Sequence, residues 1–288
     1  MSKISAVINV VEEELDTLPR AIESVKNLVD EVVVVDMSAS GVSGDKKTKV
    51  FKHKLVNYVE PARNFGIEKA HGEWVLVLDP DEEIPGSLSR EIQKVTKESG
   101  IDFFRLPRKN IIFGKWIKHS RWWPDYNVRL FKKGNVSWSE EIHGAPVTIG
   151  VSRNIPPEEK FSIKHNNYTS VEQYISRMNR YTTVQAGNIV KGGYKFNWTD
   201  LAAKPAGEFL SRYFAGEGYK DGVHGLALAG LQAVSEFVLY LKTWNMKEEN
   251  LEVKGVIGEM RKIEREFYYW QADVSGGLFG KIRKKFRF

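Results

Sequence analysis

Between residues 73 and 83 the chain reads Glu73-Trp74-Val75-Leu76-Val77-Leu78-Asp79-Pro80-Asp81-Glu82-Glu83. Its last four acids, Asp79, Asp81, Glu82 and Glu83, are interrupted only by Pro80. Carboxylates this close repel one another, and Asp-x-Asp spacing suits a hard cation such as Mg²⁺ or Mn²⁺, held through oxygens together with a diphosphate. A solvated acidic turn is the plainer alternative. The residues in front of the acids bear on the choice. Trp74 to Leu78 are all apolar, without alternation, which is how a strand buried on both faces reads. Pro80 has no N–H to give a ladder and ends that strand. The acids therefore fall at its C-terminal end, where ligands bind in an open α/β sheet.

The preceding residues repeat this arrangement. Ile4 to Val11 form a first apolar strand followed by Glu12-Glu13-Glu14, and Val32 to Val35 form a second that ends on Asp36. Leu18, Ile22, Val25 and Leu28 recur at helical spacing between them. Met37 to Lys54 reads as a loop, Leu55 to Val59 as a short third strand, and Pro61 to Ala70 as a helix with proline near its start. After the acids come an amphipathic helix from Ser87 to Glu98 and a strand from Ile101 to Leu106. Strands that are continuous apolar runs, alternating with helices, predict a doubly wound, mainly parallel sheet with right-handed crossovers. Acids at three strand ends fit a site that grips ribose hydroxyls, base amides and a metal.

Further on the texture changes. Trp116, Trp122, Trp123 and Tyr126 surround Asp125, as a platform for a sugar ring or lipid would, or as core filling would. Glu140, Glu141 and His143 follow. Residues 166–288 read as mostly helical, which predicts two domains, 1–165 and 166–288. The tail Lys281 to Phe288 interleaves basic and apolar residues, a pattern suited to anionic lipid. With 43 basic against 37 acidic residues the net charge is +6, favouring anionic partners. No cysteine is present, which excludes disulfides and thiolate chemistry. The N-terminus turns acidic too soon for a signal peptide. The longest apolar stretch, Gly225 to Leu241, carries Gln232 and Glu236 and does not read as a membrane span. No Gly-x-Gly-x-x-Gly follows the first strand, no P-loop or Gly-x-Ser-x-Gly is present, and the histidines lack zinc-site spacing.

The order of these motifs resembles the family 2 glycosyltransferases of the GT-A fold, and more narrowly the small members related to lipopolysaccharide-core glucosyltransferases. The carrying residues are Val32 to Asp36, Ala62-Arg63-Asn64-Phe65-Gly66, His71 to Trp74, Leu78-Asp79-Pro80-Asp81-Glu82, Trp123-Pro124-Asp125-Tyr126 with Arg129-Leu130-Phe131, His165, Asn179 to Thr182, Lys204-Pro205 and Gly218 to Gly222. The resemblance implies a GT-A catalytic domain with a helical C-terminal extension, and inverting transfer of a sugar from a nucleotide-sugar, usually a UDP-sugar, with Mn²⁺ or Mg²⁺. Carried over, Val11 and Glu13 flank the base, Asp36 holds uracil or ribose, and Arg63 approaches the nucleotide. Asp79 contacts ribose or metal, Asp81 is the principal metal ligand, and His165 completes the metal or diphosphate contacts.

Inversion needs one general base opposite the diphosphate. Related sequences carry His-Glu after the Arg-Leu-Phe strand. Here the pair reads His143-Gly144, so Glu141 and Glu140 stand as candidates, with Asp125 third. The expected acceptor is a lipid-linked or other glycan met by a peripheral protein at the cytoplasmic face of an anionic membrane, with no nucleic acid involved. A polyprenyl phosphate is the alternative acceptor. A sugar nucleotidyltransferase is the alternative enzyme, but it would want a glycine-rich loop where Glu12-Glu13-Glu14 stands. A non-catalytic lipid- or nucleic-acid-binding module is the third reading, and the acids at three strand ends would repel phosphate there.

Overall fold

The computed structural model describes residues 3–56, 60–138, 146–247 and 252–275. The chain segregates into two compact units, one from Met1–Ile111 with Pro124–Asn167, the other from Ile112–Trp123 with Tyr168–Phe288. Residues 112–123, grouped with the sheet in the sequence reading, thus belong with the helices.

The first unit is built on strands β1 (Ile4–Val10), β2 (Glu31–Asp36), β3 (Thr48–Lys52), β4 (Trp74–Leu78), β5 (Glu82–Glu83), β6 (Phe103–Ile112), β7 (Asp125–Lys132) and β8 (Ile163–Tyr168), with helices α1 (Leu18–Val25), α2 (Glu60–Lys69) and α3 (Gly86–Val95). The strand order is β3-β2-β1-β4-β7-β6-β8-β5. The first four strands are parallel, and β7 runs antiparallel to both β4 and β6. The third strand is not where apolar composition put it. It is Thr48–Lys52, inside the expected loop, while residues 57–59 lie outside the described residues. An edge strand has one free side and tolerates lysines, so it lacks the unbroken apolar run that marks its buried neighbours.

Every residue of β1, β2 and β4 is buried. Alternate side chains divide between two cores. Ala6, Ile8, Val32, Val34, Leu76 and Leu78 pack against α1 and α3, while Val7, Val33, Val75 and Val77 pack with Ile67 and Ala70 beside Phe131 and Trp138. Each valine, leucine or isoleucine among them contributes roughly 1.5–3 kcal/mol by leaving water. Gly66 sets how closely α2 lies on the sheet, since a Cβ there would stand 2.5 Å from Val7 Cγ1 and 2.9 Å from Val35 Cγ2. At the N-terminal edge Glu31 ties the strands together. It accepts Ser5 Oγ at 2.8 Å and the His71 amide at 2.6 Å, and pairs with Lys49 at 2.8 Å.

The second unit is helical: α4 (Val171–Lys191), α5 (Asp200–Leu210), α6 (Val223–Lys247) and α7 (Val256–Ser275). Ser170 caps α4, its hydroxyl accepting the Gln173 amide at 3.1 Å. After α5 the chain takes a π-helical turn, Ser211–Ala215. Leu228, Tyr174, Ile112 and Ile117 form one core cluster, and Leu239, Tyr240, Ala186 and Phe196 another. By length and composition alone α6 is apolar enough to cross a membrane, with Gln232 and Glu236 inside it. It packs against α4 and α5.

Candidate functional site

The acids after β4 meet three arginines at the sheet edge. Arg63, on α2, donates from Nη2 to Asp79 Oδ1 at 2.7 Å. Arg129, buried on β7, donates from Nη2 to Asp79 Oδ2 and to Glu82 Oε1, the latter at 2.7 Å. Arg108, on β6, reaches Glu82 Oε1 at 3.2 Å and Asp125 Oδ2 at 2.7 Å. Glu82 Oε2 accepts the Asp79 amide at 3.0 Å. The mutual repulsion that suggested a cation is thus largely relieved by guanidinium groups. Burial pushes the Asp79 carboxyl up, but Arg129 and Arg63 beside it hold it well below the usual carboxylate range. Burial likewise works against the charge on Arg129, and Asp79 and Glu82 outweigh it, raising its pKa.

Arg108 was not singled out from sequence, and Arg129 entered only within a motif. A signal was present. Asp125, Asn127 and Arg129 alternate along β7, and Arg108 and Asn110 along β6. Period-two polar residues in a strand share a face. Arg108 and Asp125 are also direct cross-strand partners.

Asp81 and His165 come together in the same unit. Asp81 is nearly buried, with Oδ1 3.5 Å from His165 Nε2. On the other side of the ring, His165 Nδ1 lies 2.6 Å from Asn110 Oδ1, while Asn110 Nδ2 donates to Asp125 Oδ2 at 3.1 Å. An amide oxygen only accepts, so Nδ1 carries the proton and, in the neutral ring, Nε2 presents its lone pair toward Asp81. Ligating histidines are held in this way, their far N–H on a fixed acceptor. The donor set therefore fits a divalent cation at Asp81 and His165. Asp79 fits less well, since its two oxygens are already held by Arg63 and Arg129. Among the described residues no three His, Asp or Glu side chains form a complete cage. Mg²⁺ sites of this sparse kind take their remaining ligands from substrate phosphates and water.

Asp125 makes an unpromising base. Burial raises its carboxyl, but Arg108, Asn110 and Asn127 hold it below the ordinary value. Glu140 and Glu141 lie outside the described residues. The chain leading to them is anchored nearby: the Asn64 side chain accepts the Trp138 amide at 2.9 Å and donates to the Trp138 carbonyl at 2.7 Å, while Arg63 lies over the Trp138 ring at 5.5 Å.

The other strand ends are organised differently. Asp36 is fully buried. Its Oδ1 accepts the Ser38 amide and hydroxyl at 2.9 and 2.6 Å, and its Oδ2 accepts the Val42 amide at 2.9 Å and pairs with Lys52 at 2.8 Å. In this structure both oxygens are committed to folding the loop after β2. Glu12, rather than Glu13, joins that loop, accepting the Ala39 and Ser40 amides at 2.8 and 3.1 Å. Glu13 is exposed, and Val11 is half-buried against the cluster of Val35, Met37 and Ala62. Three buried polar atoms at this edge, Asn9 Oδ1, Arg63 Nε and Arg129 Nε, have no hydrogen-bond partner among the described residues. Buried atoms of that kind call for a partner from a ligand, an ion or water.

A mixed, mainly parallel sheet with a row of paired charges at one edge, in a chain that continues into a helical unit, is an α/β architecture, and comparison with known proteins narrows it. Residues 5–154 match the family model "Glycosyl transferase family 2". The chain belongs to that family, and it is a glycosyltransferase with the GT-A fold. An uncharacterized glycosyltransferase of Rickettsia typhi is 28% identical over 270 residues, covering 89% of this chain and 91% of that one. The lipopolysaccharide core biosynthesis glycosyltransferase LpsC of Rhizobium meliloti is 24% identical over 251 residues, covering 84% and 92%. Among solved structures, S. aureus TarS 1-349 in complex with UDP aligns over 88% of this chain and 95% of that one, at 13% identity and a TM-score of 0.42.

Proposed function

We propose that the protein is an inverting, metal-dependent glycosyltransferase that moves a sugar from a nucleoside diphosphate donor, a UDP-sugar, to a hydroxyl of a lipid-linked glycan at the cytoplasmic face of a membrane. The observation that carries the metal-dependent reading is the linked row Asp125–Asn110–His165–Asp81, which orients an imidazole lone pair toward a nearly buried carboxylate. The name of the Rhizobium meliloti relative supports a cell-envelope glycan as acceptor.

In this reading Asp81 and His165 hold Mn²⁺ or Mg²⁺. The bound ion supplies Lewis-acid neutralisation of the leaving diphosphate without a proton. Arg63 faces the nucleotide, and Asp79 positions the ribose while keeping Arg63 and Arg129 in place. Val11 and Glu13 flank the base, over the loop that Asp36 folds. Glu141, or Glu140 beside it, takes the acceptor proton. Asp125 ranks third because Arg108 stabilises its ionised form and so weakens it as a base.

A thermal-shift screen of nucleotides with and without Mn²⁺ tests the donor site. Metal-dependent stabilisation by UDP or a UDP-sugar is expected, and it should disappear in Asp81→Ala. No stabilisation by any nucleotide would overturn the reading. Loss of transfer with retained UDP binding in Glu141→Gln or Glu140→Gln identifies the base.

A further inference from the structure

Residues 116–123, in the helical unit, have no part in the donor site described above. Within them His119-Ser120-Arg121-Trp122 closes a turn in which the Trp122 amide donates to the His119 carbonyl at 3.0 Å. Ser120 and Arg121 have φ of 57° and 68°. Positive φ at both central positions is the pattern of a type I′ turn, which favours glycine, asparagine or aspartate. A serine and an arginine are strained there, and strain of this kind persists only where the surroundings over-determine it. They do so here. Ser120 is buried, its amide donating to the Gly216 carbonyl at 2.7 Å and its hydroxyl to the Arg212 carbonyl at 2.9 Å. Its own carbonyl accepts Arg212 Nη1 at 2.8 Å, and Arg121 donates to Ser211 Oγ. Trp122 packs against the core cluster around Ile112 and Leu228.

His119 stands at the first corner of this turn. Its amide donates to Asp221 Oδ2 at 2.8 Å, and its ring Nδ1 lies 3.2 Å from Asp221 Oδ1, off the line of a straight hydrogen bond. Asp221 is buried, and an ionised carboxylate only accepts, so in the neutral ring Nδ1 carries the proton and Nε2 keeps its lone pair. Nε2 forms no hydrogen bond among the described residues, and the side chain is 27% exposed. The amides of Lys118 and His119 already give Asp221 donors, so anchoring the loop does not require the imidazole. Just past the turn, Trp123 is half-buried and meets Trp116 edge to face at 5.2 Å, which leaves at least one Trp123 face outside the pair. Lys118 covers the Trp116 ring at 4.1 Å, so Trp123 is the ring left to stack. Lys118 and Arg121 are exposed.

We propose that this loop binds a pyranose ring of the acceptor, with His119 Nε2 accepting from a sugar hydroxyl and the Trp123 indole against the ring's C–H face. Hydroxyls both donate and accept, so the fixed imidazole lone pair and the cationic donors of Lys118 and Arg121 complement them, while the indole supplies the apolar surface. Calling that sugar the acceptor rests on the glycosyl-transfer reading; the chemistry of the loop does not.

The test is NMR titration of the full-length protein with UDP and Mg²⁺ present, following the amide signals of residues 116–123 and the Trp123 indole N–H. Methyl α-glucoside, methyl α-galactoside and methyl α-mannoside are the probes, and sorbitol, which has hydroxyls but no ring, is the control. At least one glycoside is expected to shift these signals saturably, and sorbitol is not. His119→Phe keeps a ring without the acceptor nitrogen and should weaken binding at least about tenfold, whereas His119→Gln, whose amide oxygen can accept, should stay within about threefold of wild type. Should His119→Phe fail to fold, Trp123→Leu, which removes the stacking face, is expected to abolish the shifts. No shift with any glycoside, equal shifts with sorbitol, or wild-type binding in the folded His119→Phe or Trp123→Leu protein overturns the proposal. Equal weakening by phenylalanine and glutamine overturns it too, since His119 is then only the partner of Asp221. If UDP and Mg²⁺ leave the wild-type spectrum unchanged, it is the glycosyl-transfer reading that fails, and the loop is judged on the glycoside arms alone.

Discussion

Asp36 at the end of β2 and Asp79 at the end of β4 occupy equivalent places in the sheet and are neutralised in different ways. Asp36 accepts two backbone amides and a hydroxyl from its own loop, with Lys52 added from outside. Asp79 is held by two guanidinium groups carried on α2 and β7, and its neighbour Glu82 shares one of them with a third from β6. Backbone amides are fixed once the loop has folded, so Asp36 acts as a local fastener. Arginines are long side chains that can exchange one anion for another without unfolding the backbone. The difference teaches which acids build the edge and which stand where a diphosphate could compete.

Removing Arg129 is the severest way to break this contrast. Arg129→Met leaves Asp79 and Glu82 without their shared counter-charge, and breaking a buried pair from one side costs about 3–5 kcal/mol. Urea unfolding should show a loss of that order, and a loss below about 1 kcal/mol would mean water already neutralises the cluster. Asn110→Ala should act on function rather than fold. It releases His165, and loss of such an orienting partner typically weakens metal affinity about 10–100-fold. Titrating Mn²⁺ in the presence of UDP reads this directly, and an unchanged titration removes His165 from the metal site.

Asp36→Asn sharpens the other half of the comparison. The loop loses charge-assisted hydrogen bonds, each contributing about 1.5–3 kcal/mol, and melting should report it. If Asp36 instead bound the nucleotide directly, UDP affinity would fall while stability held. Acid titration is a milder probe. Burial tends to raise the Glu31 carboxyl, but hydrogen bonds from Lys49, the His71 amide and Ser5 hold it at about 2, below the ordinary 4.5. Its folded pKa is depressed, so its contribution is present above pH 4.5 and is lost as pH falls toward 2. Glu31→Gln should therefore flatten the stability profile within that window, and a profile parallel to the wild type would contradict the assignment. The smallest effect belongs to exposed Glu13, where Glu13→Gln should change stability by no more than about 0.5 kcal/mol.

Much of the parallel half of the sheet was legible because β1, β2 and β4 are buried on both faces and so write unbroken apolar runs. β3 escaped because an edge strand need only be apolar on part of its surface. The acids at the strand ends were also visible, but their partners were not. Arg63 lies one position from Asn64 in a helix, Arg108 and Arg129 are on strands far from Asp79 in sequence, and antiparallel pairing brings them to one edge. The aromatic residues Trp122, Trp123 and Tyr126 around the start of β7 are more conspicuous in the sequence than the alternating polar face of β6 and β7. The roles of Asp125 and Asn110 depend on which oxygen meets which donor, and residue spacing does not encode that.

Asn110 turns one end of its amide to Asp125 and the other to His165, so the imidazole proton has a fixed address on Nδ1. That makes the ring a resident spectroscopic reporter. In a nitrogen-15-labelled sample the two nitrogens of the neutral ring should resonate far apart, as a single tautomer demands. Adding Mg²⁺ with UDP should move the Nε2 signal while Nδ1 stays nearly still, so the arrival of nucleotide and metal can be followed without turnover or acceptor.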